Sequence, residues 1–382
     1  MMIDLRKFFD CSVLLFVVIG TLFYLAVPAK TEYEIAIGWG YMTQELFFRF
    51  GVLFLFCLSL LVRPLRFVPL YVFGAFLAYF LLTSSILGFD LKMRSQLMNI
   101  GMGILFIKIV SEVSYESIVK LAGWFFLGVV CLNLLLCAMQ YYGVDPLMSN
   151  PENMGAMDRV VGFMKIKVHL GIMAAIFAPF IFLINPFLVV LCLPLIFFSQ
   201  SSVAAGVFAL SIGFLSYFKM GKKLFVLSLL VILSTCGVFI FLYDMPGGQF
   251  FERFKIWHKT LEFALKTNPL IGCGIGAFSK WAPTTMQGNG EPILWPWVHN
   301  EYLQMFFEGG IAALFLIAVY LKKCFRRVYS VLSDPEYRAV FASLLTVFAV
   351  SVFHFPFHLA RLAIPCLFVM ALYELKATER CR

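Results

Sequence analysis

The chain has 382 residues, 62% apolar and 13% charged, with a formal net charge of +9. A soluble globular protein is about 45–50% apolar and about 25% charged. This chain therefore carries more apolar surface than one aqueous core hides, and its solvent is lipid. A lone soluble domain, a disordered tail and a nucleic-acid-binding module are excluded, and the positive charge belongs to topology.

A spanning helix needs roughly 20 apolar residues, and cores of about 15–17 occur in polytopic bundles. Candidates in chain order are 11–28, 46–62, 67–88, 96–111, 119–142, 169–184, 187–199, 202–218, 224–243, 303–321, 338–354 and 358–375. Asn99 dilutes the fourth, and Asn185-Pro186 sets off the short seventh from the sixth. Lipid cannot satisfy an open backbone, so helices are the spanning unit. The predicted fold class is all-α: a polytopic membrane helix bundle of about 12 transmembrane helices with a loop-and-helix subdomain outside. Residues 1–243 hold helices 1 to 9, 244–300 the large outer loop, and 301–382 the last three helices and a tail.

Lys and Arg in short loops orient the bundle. With the N-terminus inside, the inner segments hold Arg6 and Lys7, Arg63 and Arg66, Lys108 and Lys120, Lys219 with Lys222 and Lys223, Lys322 to Arg327, and Lys376 with Arg380 and Arg382. The 88–95 loop, with Lys92 and Arg94, fits less well. Both termini are expected inside. No small-residue cleavage site follows the first apolar run, which reads as a retained span. The ten cysteines show no CxxC pair and no metal-ligand spacing, so neither a disulfide framework nor a metal site is expected.

The segment 244–300 is the longest polar stretch and holds four of the six tryptophans, Trp257, Trp281, Trp295 and Trp297. Residues 250–266 read as an amphipathic helix at 100° per residue. Glu252, Lys255, Lys259, Glu262 and Lys266 form a charged stripe opposite Phe250, Phe254, Trp257 and Leu261. Arg253 falls on the Trp257 side. Either it snorkels to a lipid phosphate, or it turns into a pocket, where its guanidinium grips two oxygens of an anion.

The glycines of Asn268-Pro269-Leu270-Ile271-Gly272-Cys273-Gly274-Ile275-Gly276 follow a helix and lack the GxGxxG frame of a dinucleotide site. They predict a tight turn that brings backbone close to another group. Asn300 is a good N-cap for the next span, and Glu301 suits its first turn. His299 therefore sits at a helix N-terminus, as a capping histidine or as a neutral base where the helix dipole disfavours imidazolium. Glu308, beside Gly309-Gly310, is an ionisable group within a span, which marks function or a helix–helix contact. Arg159, Lys165, Lys167 and Arg361 complete the outer basic residues, with His354 and His358 near Arg361; Arg49 is placed to pair with Glu45 one turn earlier.

Together these residues resemble the O-antigen ligase and polymerase superfamily of bacterial inner-membrane glycosyltransferases. The resemblance rests on Arg253 and Trp257, the turn Asn268 to Phe278, and His299-Asn300-Glu301-Tyr302-Leu303-Gln304 leading to Glu308-Gly309-Gly310. Arg159-Val160-Val161-Gly162, His169-Leu170-Gly171 and His354-Phe355-Pro356-Phe357 resemble further family segments. One departure is that Ser201-Ser202 stands where many members carry Ser-Arg; either another basic residue such as Arg159 or Arg361 replaces that arginine, or the donor is handled differently, or the activity is impaired.

The resemblance implies a glycan transfer at the periplasmic face of the inner membrane, from an undecaprenyl-pyrophosphate-linked donor to an acceptor hydroxyl, with lipid A core as a ligase's acceptor. No cofactor or metal is implied, because the donor arrives activated. Arg253 and His299 are the implied catalytic residues. Arg159, Arg361, Glu308, Asn300, Trp257 and Tyr302 are the expected substrate-binding set. A polymerase of repeat units and a protein O-oligosaccharyltransferase share the signature. A transporter or flippase for a lipid-linked sugar is the alternative of another class; the missing internal repeat and the gathering of basic and histidine residues at the outer surface speak against it.

Overall fold

A computed structural model describes residues 5–22, 36–62, 70–88, 91–146, 156–164, 166–219, 226, 249–281, 284–286, 292–294, 297–327 and 333–379. The expected span 224–243 lies outside the described residues, apart from 226.

The described residues are helical nearly throughout. In order the helices are α1 (Leu5–Leu22), α2 (Ala36–Val62), α3 (Tyr71–Leu87), α4 (Leu91–Val110), α5 (Tyr115–Tyr141), α6 (Ala156–Arg159), α7 (Lys167–Ile184) and α8 (Cys192–Ser199). They continue with α9 (Ser202–Lys219), α10 (Gln249–Thr267), α11 (Phe278–Trp281), α12 (Glu301–Arg326), α13 (Pro335–Phe353) and α14 (Ala360–Glu379). One feature departs from the all-α expectation: within the loop, β1 (Thr284–Met286) pairs antiparallel with β2 (Pro292–Leu294). Five described helices are long and apolar enough to cross a membrane: Ile118–Tyr141, Lys167–Ile184, Ser202–Lys219, Glu301–Arg326 and Pro335–Phe353. The apolar Tyr71–Leu87 and Pro186–Ser199 are shorter. The short seventh span is two pieces, a 3-10 stretch Pro186–Leu191 followed by α8, because Pro186 and the Asn185 cap set a new start. The 88–95 loop is also shorter than expected, since α4 begins at Leu91.

At the centre stands α7, apolar all round and buried from His169 to Phe182. It packs on α5, α8 and α13. Lipid is as apolar as leucine, so close packing and hydrogen bonds hold these helices together. Phe126 of α5 lies flat on Phe177 of α7, centroids 3.9 Å apart, and Ser343 Oγ of α13 donates to the Ile176 carbonyl at 2.8 Å. On the other flank, Arg49 of α2 pairs with Glu45 at 2.9 Å, as expected. It also donates to Ser95 Oγ at 2.6 Å and to Asn99 Oδ1 at 2.9 Å, tying α2 to α4. At one end of the bundle, Lys323 of α12 pairs with buried Glu374 of α14 at 2.6 Å, and Tyr373 donates to the Cys324 carbonyl at 2.7 Å.

Two irregular segments face the remaining chemistry. Residues 160–164 are pinned to α5 because Gln140 Oε1 accepts from Val161 N (3.0 Å) and Gly162 N (2.9 Å), and Asn133 Oδ1 from Phe163 N (3.0 Å). Residues 354–359 break the path between α13 and α14, where Pro356 opens a single 3-10 turn.

Candidate functional site

The site is built on a broken helix. α12 is interrupted at Gly310, with φ 62° and ψ −165°, so its ladder opens there. The glycine turn fills the gap. Cys273 N donates to the Phe307 carbonyl and Gly274 N to the Glu308 carbonyl, both at 2.9 Å, while Ile311 N donates to the Pro269 carbonyl at 2.9 Å. The carbonyls that the break leaves open thereby find partners. The contact needs glycine. A Cβ on Gly272 (φ 73°) would stand 2.5 Å from the Glu308 carbonyl, and one on Gly310 would overlap the Leu270 carbonyl. The close backbone approach expected of this turn is thus observed, and its target is the span carrying Glu308. From α3, Tyr79 Oη donates to the Gly309 carbonyl at 2.6 Å.

The start of α12 is equally fixed. Asn300 Oδ1 accepts from Leu303 N at 2.9 Å, the expected N-cap. Trp257 Nε1 donates to the Val298 carbonyl at 2.9 Å, fastening α10 to this point. Glu301, buried, accepts from Phe357 N at 2.9 Å and faces His358 Nδ1 at 3.1 Å. His358 Nε2 lies 2.9 Å from Gln304 Nε2, and Gln304 in turn donates to Glu308 Oε1 at 3.2 Å. A polar thread thus runs Glu301–His358–Gln304–Glu308 beneath the N-terminus of α12.

Beside this thread stands a column of imidazoles. His299 takes the left-handed region (φ 57°), which turns its ring onto that of His354, 11° from parallel with centroids 5.9 Å apart. His354 stacks in turn on His169 of α7 at 4.9 Å and 28°. Phe355 meets both His299 (4.6 Å) and His354 (4.5 Å) edge-on. Two arginines act on this column. Arg253 Nη1 donates to the Phe353 carbonyl at 3.0 Å, and Arg361 Nη1 donates to the Met164 carbonyl. Burial first, then the charges of Arg253 and His354, hold His299 well below the usual histidine range. His299 is thus a neutral imidazole beside a guanidinium, an arrangement that orients or accepts a proton while the cation binds an anion.

The expected site residues separate into groups. Arg253, His299 and Arg361 converge on the column. Of the two readings of Arg253, the inward one fits its half-buried position on the Phe353 carbonyl. Asn300 and Trp257 hold the start of α12 in place, and Tyr302 Oη is tied to the Phe348 carbonyl at 3.0 Å. Glu308 is buried at the helix break. Arg159 ends α6 and reaches the turn after α5, its Nη1 3.1 Å from where a Cβ on Gly143 would lie.

Between its charged and apolar stripes α10 has a third face that sequence reasoning did not name. Its buried seam is Ile256, Thr260 and Ala264, packed near Phe278 and Phe307, whereas Phe254 and Leu261 are exposed. Those exposed side chains wall an open groove of about 1050 Å³ that Trp257, Asn300, Tyr302 and Phe306 also line. On the other side of Tyr302 lies a smaller cavity of about 270 Å³, bounded by Glu301, His358, Asn99 and Tyr320. Sequence reasoning named neither the Glu301–His358–Gln304 thread nor the part that His169 and His354 play. Their signals were present, a histidine in the first turn of a span and two histidines four residues apart around a proline, but their meeting is tertiary.

The family model described as O-antigen ligase matches residues 186–318, about a third of the chain. Residues 186–318 carry the O-antigen ligase signature. This match supports the resemblance to the O-antigen ligase and polymerase superfamily, whose members are glycosyltransferase-like enzymes. With its apolar helices, it indicates a multi-pass membrane protein with O-antigen ligase- or polymerase-like function in general. The search of curated proteins finds no match to this chain. Within the O-antigen ligase match fall Arg253, the glycine turn, His299 and the break of α12. His169, His354, His358 and Arg361 lie outside it and complete the cluster from other elements.

Proposed function

We propose that this protein transfers a glycan from undecaprenyl pyrophosphate to an acceptor hydroxyl at the periplasmic face of the bacterial inner membrane, as an O-antigen ligase acting on lipid A core. The observation that carries this reading is the juxtaposition of Arg253 and His299 at the capped N-terminus of α12, inside the family match. In the reaction the acceptor oxygen bonds to the anomeric carbon and the bond from that carbon to the phosphate oxygen breaks. The lipid pyrophosphate leaves with the electron pair. His299 orients the hydroxyl and takes its proton. Arg253 and Arg361 offset the charge that develops on the leaving group. The donor is already activated, so the reading assigns no role to a metal or nucleotide.

The aromatic groove beside Asn300 and Tyr302 supports a place for sugar faces, with Trp257 and Tyr302 as its walls. The distribution of Lys and Arg supports cytoplasmic termini and an outward-facing site. The test is reconstitution: purified protein, a lipid-pyrophosphate-linked glycan and lipid A core, with products resolved by mass. Glycan joined to core supports the ligase reading. Lengthening of the lipid-linked glycan without core addition identifies a polymerase instead, and movement of the donor across vesicles without covalent transfer rejects both.

A further inference from the structure

The open groove between α10 and α12 changes character along its length. At one end it meets the Asn300 cap, with Lys255, His258 and Lys259 of α10 on its rim. Its floor then follows Leu303, Phe306 and Leu314 along α12, a helix long and apolar enough to cross a membrane. From Leu303 to Leu314 the rise is about 16 Å, half of a hydrocarbon core of about 30 Å. Ile311 and Phe315, on the same stretch of α12, are 58% and 67% exposed, as lipid-facing side chains are. The aromatic walls present faces and no polar tips, since Trp257 Nε1 already donates to the Val298 carbonyl and Tyr302 Oη to the Phe348 carbonyl. Among the described residues the lining holds no carboxylate, and neither Arg253, His299 nor Arg361. Glu262, one turn beyond His258, is paired with Lys266 at 2.6 Å.

An apolar trough inside hydrocarbon forfeits the dispersion contacts of both walls if it stays empty. What fills it is an alkyl chain, because that part of the protein has lipid as its solvent. The lysines at the level of the helix start then select the head that the chain carries, since cations near a membrane surface attract anionic headgroups. We propose that the α10–α12 groove binds one anionic phospholipid, its acyl chain along Leu303, Phe306 and Leu314 and its phosphate at Lys255 and Lys259. So placed, the lipid packs α10 against α12. The site is separate from the reacting groups and does not depend on the transfer reaction proposed above.

The test measures lipid retained by the purified full-length protein in neutral detergent, by native mass spectrometry. Phosphatidylglycerol and phosphatidylcholine with the same chains are supplied at equal concentration. The wild type is expected to retain phosphatidylglycerol over phosphatidylcholine by about tenfold or more, the scale of two lysines beside an anionic headgroup. Lys255→Gln combined with Lys259→Gln, both at exposed positions, is expected to remove that preference. Lys266→Gln combined with Lys280→Gln takes the same charge from outside the groove and is expected to keep it. Equal retention of the two lipids by the wild type, or an equal loss of preference in both double variants, overturns the proposal. The chain has its own readouts. Leu314→Trp, which fills the floor, is expected to lower retention of both lipids several-fold, and unchanged retention overturns the chain's place there. Glycerophosphoglycerol, the same head without chains, is expected not to displace phosphatidylglycerol at matched concentration, and displacement overturns it as well. Retention of a lipid A-type glycolipid together with rejection of phosphatidylglycerol also overturns the assignment.

Discussion

The ring of His299 lies 11° from parallel to that of His354, with centroids 5.9 Å apart, held there by a backbone in the left-handed region at His299. Two residues distant in sequence are thus brought face to face by three separate features: the cap of α12, the proline break after α13 and the anchoring of Arg253.

The first consequence concerns pH. An unfolded histidine titrates near 6.5, whereas burial, Arg253 and His354 hold native His299 well below that. As pH falls through about 6.5 the unfolded chain takes up this proton first, so stability falls on acidification while the native imidazole stays neutral. The acidic limb of kcat/KM for glycan transfer is therefore expected well below pH 6.5. A limb centred near 6.5 contradicts the described surroundings of His299.

The glycine interlock predicts a stability loss. In Gly272→Ala the added methyl meets the Glu308 and Gly309 backbone at a φ that favours glycine. Overpacking of this kind costs about 1–3 kcal/mol, and the left-handed backbone adds roughly 1 kcal/mol. A lower melting temperature in detergent is expected for Gly272→Ala, and likewise for Gly310→Ala. Gly206→Ala, inside α9 with nothing within 4 Å, is the control expected not to lower the temperature.

Asn300 is expected to matter through its cap. Asn300→Ala removes the acceptor for Leu303 N and costs about 1 kcal/mol. Asn300→Asp keeps an acceptor and is expected to retain wild-type stability. Equal melting temperatures for Asn300→Ala and the wild type contradict the cap.

Glu301 holds the break between α13 and α14 against the start of α12. Glu301→Ala removes the acceptor of Phe357 N–H and the partner of His358 Nδ1, while His358 Nε2 stays against Gln304, at a cost of about 1–3 kcal/mol. Glu301→Gln keeps one acceptor oxygen and is expected to lose less. Thermal unfolding of the two variants ranks them, and the reverse order contradicts the assigned contacts.

Much of this arrangement was legible in the sequence because it follows from local chemistry. The apolar runs, the Asn300 cap, the glycine turn and the Glu45–Arg49 pair at one-turn spacing are short-range patterns. The helix expected over 250–266 is found at Gln249–Thr267. The buried seam of α10 was not legible, because periodicity locates an apolar stripe but not its neighbour. Phe254 and Leu261 look outward, while Ile256 and Thr260 meet the rest of the protein. The histidine column was not legible, since His169, His299 and His354 come from three elements whose meeting depends on packing around α7.

The central claim is that Arg253 and His299 carry transfer from a lipid-pyrophosphate donor, and single-turnover transfer by purified Arg253→Ala and His299→Ala tests it most directly. Removing one group that stabilises transition-state charge costs about 10²–10³ in rate, and removing a general base about 10²–10⁴. Losses on that scale in both variants, with melting temperatures near that of the wild type, are the predicted result; wild-type transfer by both contradicts the account.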